Sequence, residues 1–384
     1  MGEGDARGVF PCIMGEMDWK AFFGKINNGI SIADAVLNRD GLTDPNIGLA
    51  AMFDRRISTA EGYYASYDPL MVLTREDFPE LKHRQEISFK SGKNTLRGYL
   101  YQPITSPKGV VLCVHGLNSF SDNHNAIFQA HFLNRGYVVF AIDLTASGRS
   151  GGIRIDGLHQ SALDIVEAEK YLKSRSDLRR LPLSLFGHSW GGYGVAASLA
   201  LDDSPVAVVA LSGFKNPIEE MVGLVKTKAG PLAESQRPAL TDALCRRAGE
   251  YALLSAEEAI KNNKKTHILL IHGTEDAIVP YPSVATAGCK FRQENVEKII
   301  LKGRTHTDLF FSEPSIAYAK NVEKMKDDLV KQYGKSPADC PKEVLEAFRS
   351  SFDKRMACVL DPALWRKIDE TIDGGSEEAV LLLS

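Results

Sequence analysis

The 384-residue chain has no excess of either charge. Lys and Arg number 46 against 49 Asp and Glu, a formal net charge of −3. A nucleic-acid partner needs a basic face, and an anionic bilayer attracts a polybasic patch, so neither partner is expected. No run approaches the roughly 18 apolar residues of a membrane span, which argues against integral membrane association. The six cysteines (Cys12, Cys113, Cys245, Cys289, Cys340, Cys358) are scattered, with no CxxC pair. Free thiols are therefore expected rather than a disulfide framework or a zinc site. The first twenty residues, MGEGDARGVFPCIMGEMDWK, hold no basic region leading into an apolar stretch, so a cytoplasmic chain is expected. There is no internal repeat and no low-complexity tract. No His/Asp/Cys cluster has metal-ligand spacing, and no metal or other cofactor is expected. The segment LNRDGLTDP faintly suggests a calcium loop, but aligning Gly41 with the loop's obligatory glycine puts Val36 at the first ligand position.

What is present is a chain with 44% hydrophobic and 25% charged residues, enough to bury a large core. Residues 1–83 read as a helical N-terminal extension, broken at glycines and asparagines such as Asn27-Asn28-Gly29. From residue 84 the pattern becomes alternating: 84–90 and 95–102 flank a Ser91-Gly92-Lys93-Asn94 turn and predict a hairpin. A strand–helix series follows. Residues 109–114 are continuously apolar, as in a strand buried on both faces of a parallel sheet. Further strands are predicted at 137–142, 183–186, 206–211, 267–271 and 298–301. Helices are predicted at about 122–134, 161–173, 192–201 and 283–294. Residues 215–265 interrupt the series with about fifty largely helical residues. The tail, 315–384, reads as amphipathic helices with a break near Lys335-Ser336-Pro337. Alternating βα units imply a doubly wound, mostly parallel sheet of the α/β class. The sheet core is assigned to 84–214 and 266–314.

The strongest local signal is Gly187-His188-Ser189-Trp190-Gly191-Gly192, between a predicted strand and a predicted helix. A serine on such a sharp turn has strained backbone angles, and its glycine neighbours let other backbone pass close by. Its hydroxyl then stands at a helix N-terminus, where the dipole favours developing negative charge. A hydroxyl is a poor nucleophile without a base, and the base needs an orienting acid. In a doubly wound fold these follow in the order Ser, acid, His. Two later strands run into fitting segments: His272-Gly273-Thr274-Glu275-Asp276-Ala277-Ile278-Val279-Pro280 and Lys302-Gly303-Arg304-Thr305-His306.

With VLCVHGLNS, GHSWGG, HGTEDAIVP and KGRTH in this order, the chain resembles the α/β-hydrolase fold serine hydrolases. It is most similar to the branch of monoacylglycerol lipases and serine aminopeptidases, over about residues 84–310. It is also similar to a bacterial group of hydrolases that carry SGF after the sixth strand and a late DPALW-type helix. The resemblance implies Ser189 as nucleophile, Asp276 as acid and His306 as base. Glu275 is the rival acid, and the HGxxD spacing selects Asp276. His188 flanks the nucleophile, His115 sits in the loop after the first parallel strand, and His272 reads as a packing residue. The family places an oxyanion hole in two backbone amides, here Leu117 and Trp190. Many relatives carry an RGHG-type segment after the second parallel strand; here it is Asp143-Leu144-Thr145-Ala146-Ser147-Gly148-Arg149-Ser150, without the histidine, and no catalytic role is assigned to it. Residues 215–265 fall where the family inserts a helical cap. Met221, Val225 and Tyr251 are candidate lining residues, although an apolar helical stripe more often faces core.

The expected activity is hydrolysis of a carboxylic ester of a small-molecule acyl substrate through an acyl-enzyme. Amide or peptide cleavage uses the same groups, and an aminopeptidase would need a carboxylate for the substrate ammonium. Glu219 and Glu220 are the candidates, though such glutamates usually face water. Thioester hydrolysis and acyl transfer are also open, as is a non-catalytic small-molecule binder on the same fold. A homodimer is compatible with the sequence. A serine at the elbow disfavours dehalogenase chemistry.

Overall fold

The computed structural model describes residues 44–59, 73–123, 125–230, 233–334 and 339–383. Cys12, much of the N-terminal extension and the expected break at 335–337 lie outside the described residues. The strands are β1 (Gln85–Ser91), β2 (Asn94–Tyr101), β3 (Val110–Val114), β4 (Val138–Asp143), β5 (Leu183–His188), β6 (Ala207–Leu211), β7 (His267–Gly273) and β8 (Val296–Leu301). They form one sheet in the order β1-β2-β4-β3-β5-β6-β7-β8. The β1–β2 and β2–β4 pairs are antiparallel, and every other pair is parallel. The helices are α1 (Pro45–Phe53), α2 (Ala126–Asn134), α3 (Gln160–Ser174), α4 (Trp190–Ala197), α5 (Pro217–Ala229), α6 (Ala233–Ala248), α7 (Ala256–Asn262), α8 (Glu313–Tyr333), α9 (Lys342–Arg349) and α10 (Pro362–Leu383).

Every residue of β3, β4 and β6 is buried, because helices cover both faces of the sheet. The strand period of two sends alternate side chains to different cores. Val110, Leu112 and Val114 join one with residues of α1, α3, α4 and the α5–α7 insertion. Val111 and Cys113 join the other with α2 and with Trp365, Ile368 and Ile372 of α10. The late DPALW helix is therefore a face of the second core. Trp365 packs its ring on Phe128 at 5.5 Å and Phe186 at 5.8 Å.

The α5–α7 insertion starts one turn after β6. Asn216 caps α5 by accepting the Glu219 N–H at 2.9 Å, and Pro217 opens its first turn. The expected helix over 283–294 is not formed. That stretch contains only a short 3-10 turn, Thr286–Gly288. Residues 284–287 are all buried, an unbroken run rather than the one-sided spacing of an amphipathic helix. The Thr286 N–H is also spent on Gly213 O, beyond β6, and not on a helical ladder. Among the described residues no helix is long and apolar enough to cross a membrane.

Candidate active site

The sheet carries three loops to one edge, at the C-terminal ends of β5, β7 and β8. Ser189 follows β5 directly and caps α4 with φ 59° and ψ −117°. A left-handed φ at a residue with a Cβ costs on the order of 1–3 kcal/mol, so surrounding structure must enforce it. The enforcement is close packing. A Cβ on Gly191 would stand 2.4 Å from Val114 O of β3, so only glycine lets the first turn of α4 lie there. Gly273 plays the matching part between the other two loops. A Cβ on it would stand 2.2 Å from Arg304 O, and the neighbouring Glu275 N–H donates to that same carbonyl at 2.9 Å.

These loops bring three side chains into one hydrogen-bonded chain. His306 Nε2 lies 2.9 Å from Ser189 Oγ, and His306 Nδ1 lies 2.7 Å from Asp276 Oδ2. Asp276 is buried, and its other oxygen, Oδ1, accepts the amides of Ile278 at 3.0 Å and Val279 at 2.8 Å. Burial pushes this carboxyl up, but the facing His306 and the hydrogen bonds from His272 and His306 outweigh it and hold the carboxyl well below the usual carboxylate range. Glu275, the rival acid, is exposed. An ionised carboxylate fixes the proton on Nδ1, which leaves Nε2 free to take the serine proton.

The two amides expected to form an oxyanion hole belong to residues next in the chain to Ser189 and to Gly116. Trp190 heads α4, where first-turn N–H groups have no helical partner. Leu117 lies in the loop after β3, whose Gly116 is pressed so close that a Cβ on it would stand 3.2 Å from Ser189 Cβ. Among the described residues neither N–H is engaged with a protein acceptor. The Trp190 ring itself is turned into the core, its Nε1–H donating to Leu158 O at 2.6 Å.

Residues 105–264 match the family described as serine aminopeptidase, S33. A monoacylglycerol lipase of Mycolicibacterium smegmatis is 24% identical over 246 residues, covering 56% of this chain and 86% of that one. Together these matches support an α/β-hydrolase-fold serine hydrolase. Among solved structures, an esterase of Pyrococcus furiosus covers 68% of this hydrolase and 94% of its own chain at 17% identity and a TM-score of 0.47. The Butyrivibrio proteoclasticus protein Est1E with ferulic acid bound covers 64% and 99% at 18% identity and a TM-score of 0.45.

In this hydrolase each of three strand ends carries a buried histidine that ties down the next loop. His115 Nδ1–H donates to Gly116 O at 2.7 Å, and its Nε2 accepts the Leu144 N–H at 3.0 Å, joining the loops after β3 and β4. His188 Nε2–H donates to His306 O at 2.9 Å and holds the loop after β8. His272 Nε2 lies 2.9 Å from Val279 O and 3.2 Å from Asp276 Oδ2. The reading of His272 as a packing residue is therefore incomplete: it is buried, but it also touches the Asp276 carboxylate. The signal available in the sequence was the His-Gly pair four residues ahead of Asp276.

The glutamates also differ from expectation. Glu219 is paired with Arg237 at 2.7 Å. Glu220 is buried rather than facing water, and burial followed by the charge of Asp276 pushes its carboxyl well above the usual range. Met221 and Val225 are part of the core, while Tyr251 is exposed and stacks on His159 at 6.1 Å. No sequence signal pointed to the segment after α1. The Arg56 guanidinium donates to Gly148 O at 2.9 Å, Ser150 O at 3.1 Å and Gly152 O at 2.9 Å, stapling the loop that departs from the RGHG pattern. Ser58 Oγ–H donates to Ser119 O, next to the Leu117 loop.

Proposed function

We propose that this hydrolase cleaves carboxylic esters through an acyl-enzyme formed on Ser189. The observation that carries the reading is the continuous chain from Ser189 Oγ through His306 to a buried, ionised Asp276. His306 Nε2 takes the Ser189 proton as Oγ attacks the ester carbonyl carbon. The negative oxygen of the tetrahedral intermediate rests on the Leu117 and Trp190 amides, each such donor contributing about 3 kcal/mol. The carbon–oxygen bond to the alcohol breaks, and the alcohol leaves with the proton from His306. Water then gives its proton to His306, attacks the acyl carbon and releases the acid, and Ser189 regains its proton. Residues 215–265 act as a cap that shapes the acyl or leaving-group pocket and excludes water.

The glutamates favour an ester over a substrate with a free amino terminus. Neither residue put forward as an ammonium anchor is an available carboxylate: Arg237 occupies Glu219, and burial beside Asp276 disfavours charge on Glu220. The similarity to a monoacylglycerol lipase points the same way. The test is hydrolysis of p-nitrophenyl esters of graded chain length beside aminoacyl anilides, with fluorophosphonate labelling. Native protein is expected to turn over esters and to label, and Ser189→Ala to do neither. Anilide turnover above ester turnover, or labelling that survives Ser189→Ala, would overturn the proposal.

A further inference from the structure

We propose that His272 is a positioning residue for the proposed triad acid and sets the orientation of Asp276 toward His306. The inference rests on the assignment of Asp276 and His306 given above. His272 is the sixth residue of β7, and its ring is fully buried. A carbonyl can only accept, so the contact of Nε2 with Val279 O at 2.9 Å requires the proton to be on Nε2. The same N–H faces Asp276 Oδ2 at 3.2 Å. Nδ1 has no partner among the described residues, so the ring acts through this one forked donor.

The fork completes the surroundings of the carboxylate. Oδ1 holds two main-chain amides, of Ile278 and Val279, and Oδ2 holds two imidazole N–H groups, of His306 and His272. A carboxylate offers about four lone-pair sites, and here all four are used. The two amides hold only Oδ1. His272 pins Oδ2 to the rigid end of β7 and, through Val279 O, pins the turn that supplies both amides. Val279 is thus held at its N–H by Asp276 and at its C=O by His272, a closed ring of contacts around the acid. His115 is hydrogen-bonded to main-chain atoms of its neighbouring loops, and His188 donates to the His306 carbonyl with its ring 4.9 Å from the His306 ring, whereas His272 faces the carboxylate of the proposed acid.

The test compares His272→Phe, His272→Gln and His272→Asn on one ester, beside Ser189→Ala and native protein. Gln carries an amide N–H out to where the imidazole Nε2 sits, whereas the same amide in Asn stops one methylene short. His272→Phe and His272→Asn are expected to lower kcat by roughly 10- to 100-fold with KM within about twofold, the loss typical of a hydrogen bond to a charged group. His272→Gln is expected to recover most of the rate. Melting temperatures are read on the same samples. If Phe fails to fold, the Gln–Asn contrast carries the comparison. A loss of melting temperature with native kcat in Asn or Phe, or equal kcat in Gln and Asn, overturns the proposal. Native activity in Ser189→Ala overturns instead the assignment on which it rests, and the two failures are therefore distinct.

Discussion

A glycine at position 189 should make the fold more stable than an alanine there, the reverse of the usual order. Ser189 has φ 59° and ψ −117°, a region that any residue with a Cβ enters only under constraint. Alanine keeps that constraint, and glycine releases it, a gain of about 1–2 kcal/mol. Glycine also loses more backbone freedom on folding, which costs roughly 0.5–1 kcal/mol relative to alanine. The difference leaves Ser189→Gly ahead of Ser189→Ala by about 0.5–1 kcal/mol. Both variants lack the hydroxyl, so activity does not confuse the comparison. Urea unfolding followed by circular dichroism reads the midpoints directly, with a melting difference of about 1–2 °C as a second measure for a chain of this length. An alanine variant as stable as the glycine variant, or more so, would refute the claim that the serine turn stores strain.

Three further outcomes are expected. Asp276→Asn should lower kcat by about 10³–10⁴-fold, because an amide cannot hold His306 in the required tautomer, whereas Glu275→Gln should stay within about twofold; ester kinetics on both decide it, and a near-native Asp276→Asn sinks the acid assignment. His159 is buried, and burial, partly offset by the charge of Asp156, lowers its imidazole from 6.5 to about 4. The unfolded chain then takes up a proton near pH 6.5 that the folded chain refuses until about pH 4. Stability is full above pH 6.5 and falls by roughly 3 kcal/mol as the pH drops through that window. Urea midpoints at pH 7.5 and 4.5 should therefore differ less in His159→Gln, and an unchanged pH dependence would contradict this origin. Arg56→Ala should destabilise the fold by about 2–3 kcal/mol, since it strips charged donors from the carbonyls of Gly148, Ser150 and Gly152. Arg56→Lys should recover only part of the loss, because an ammonium cannot reproduce the planar fork. Thermal melts of both variants check this, and native-like melting of Arg56→Ala would refute it.

Much of the architecture was legible because its signals are local. Continuous apolar runs such as 110–114, and the turn at Gly92, follow from burial on two faces and from backbone geometry alone. The sharp turn at Ser189 was legible for the same reason. GHSWGG encodes a steric requirement that the sequence states within six residues, and glycine is needed where main chains approach to within the radius of a Cβ. The stretch 283–294 misled because its apolar residues answer to Phe214, Gly213 and the strand beyond, not to one another. Burial of Glu220 was invisible for a related reason: at the start of a helix it looks solvated until Asp276 and the inserted helices close around it.

Residue types and their order along the chain thus determined the fold class and the three side chains that meet at the sheet edge. Only the tertiary structure decided which histidines clamp which loops, that Arg56 staples a distant turn, and that two adjacent glutamates have different surroundings. The reason is physical. A turn or a buried strand is set by sterics and hydrophobicity among near neighbours, whereas the pairing of His306 with Asp276 joins residues 30 apart in the chain and that of Arg56 with Gly148 joins residues 92 apart.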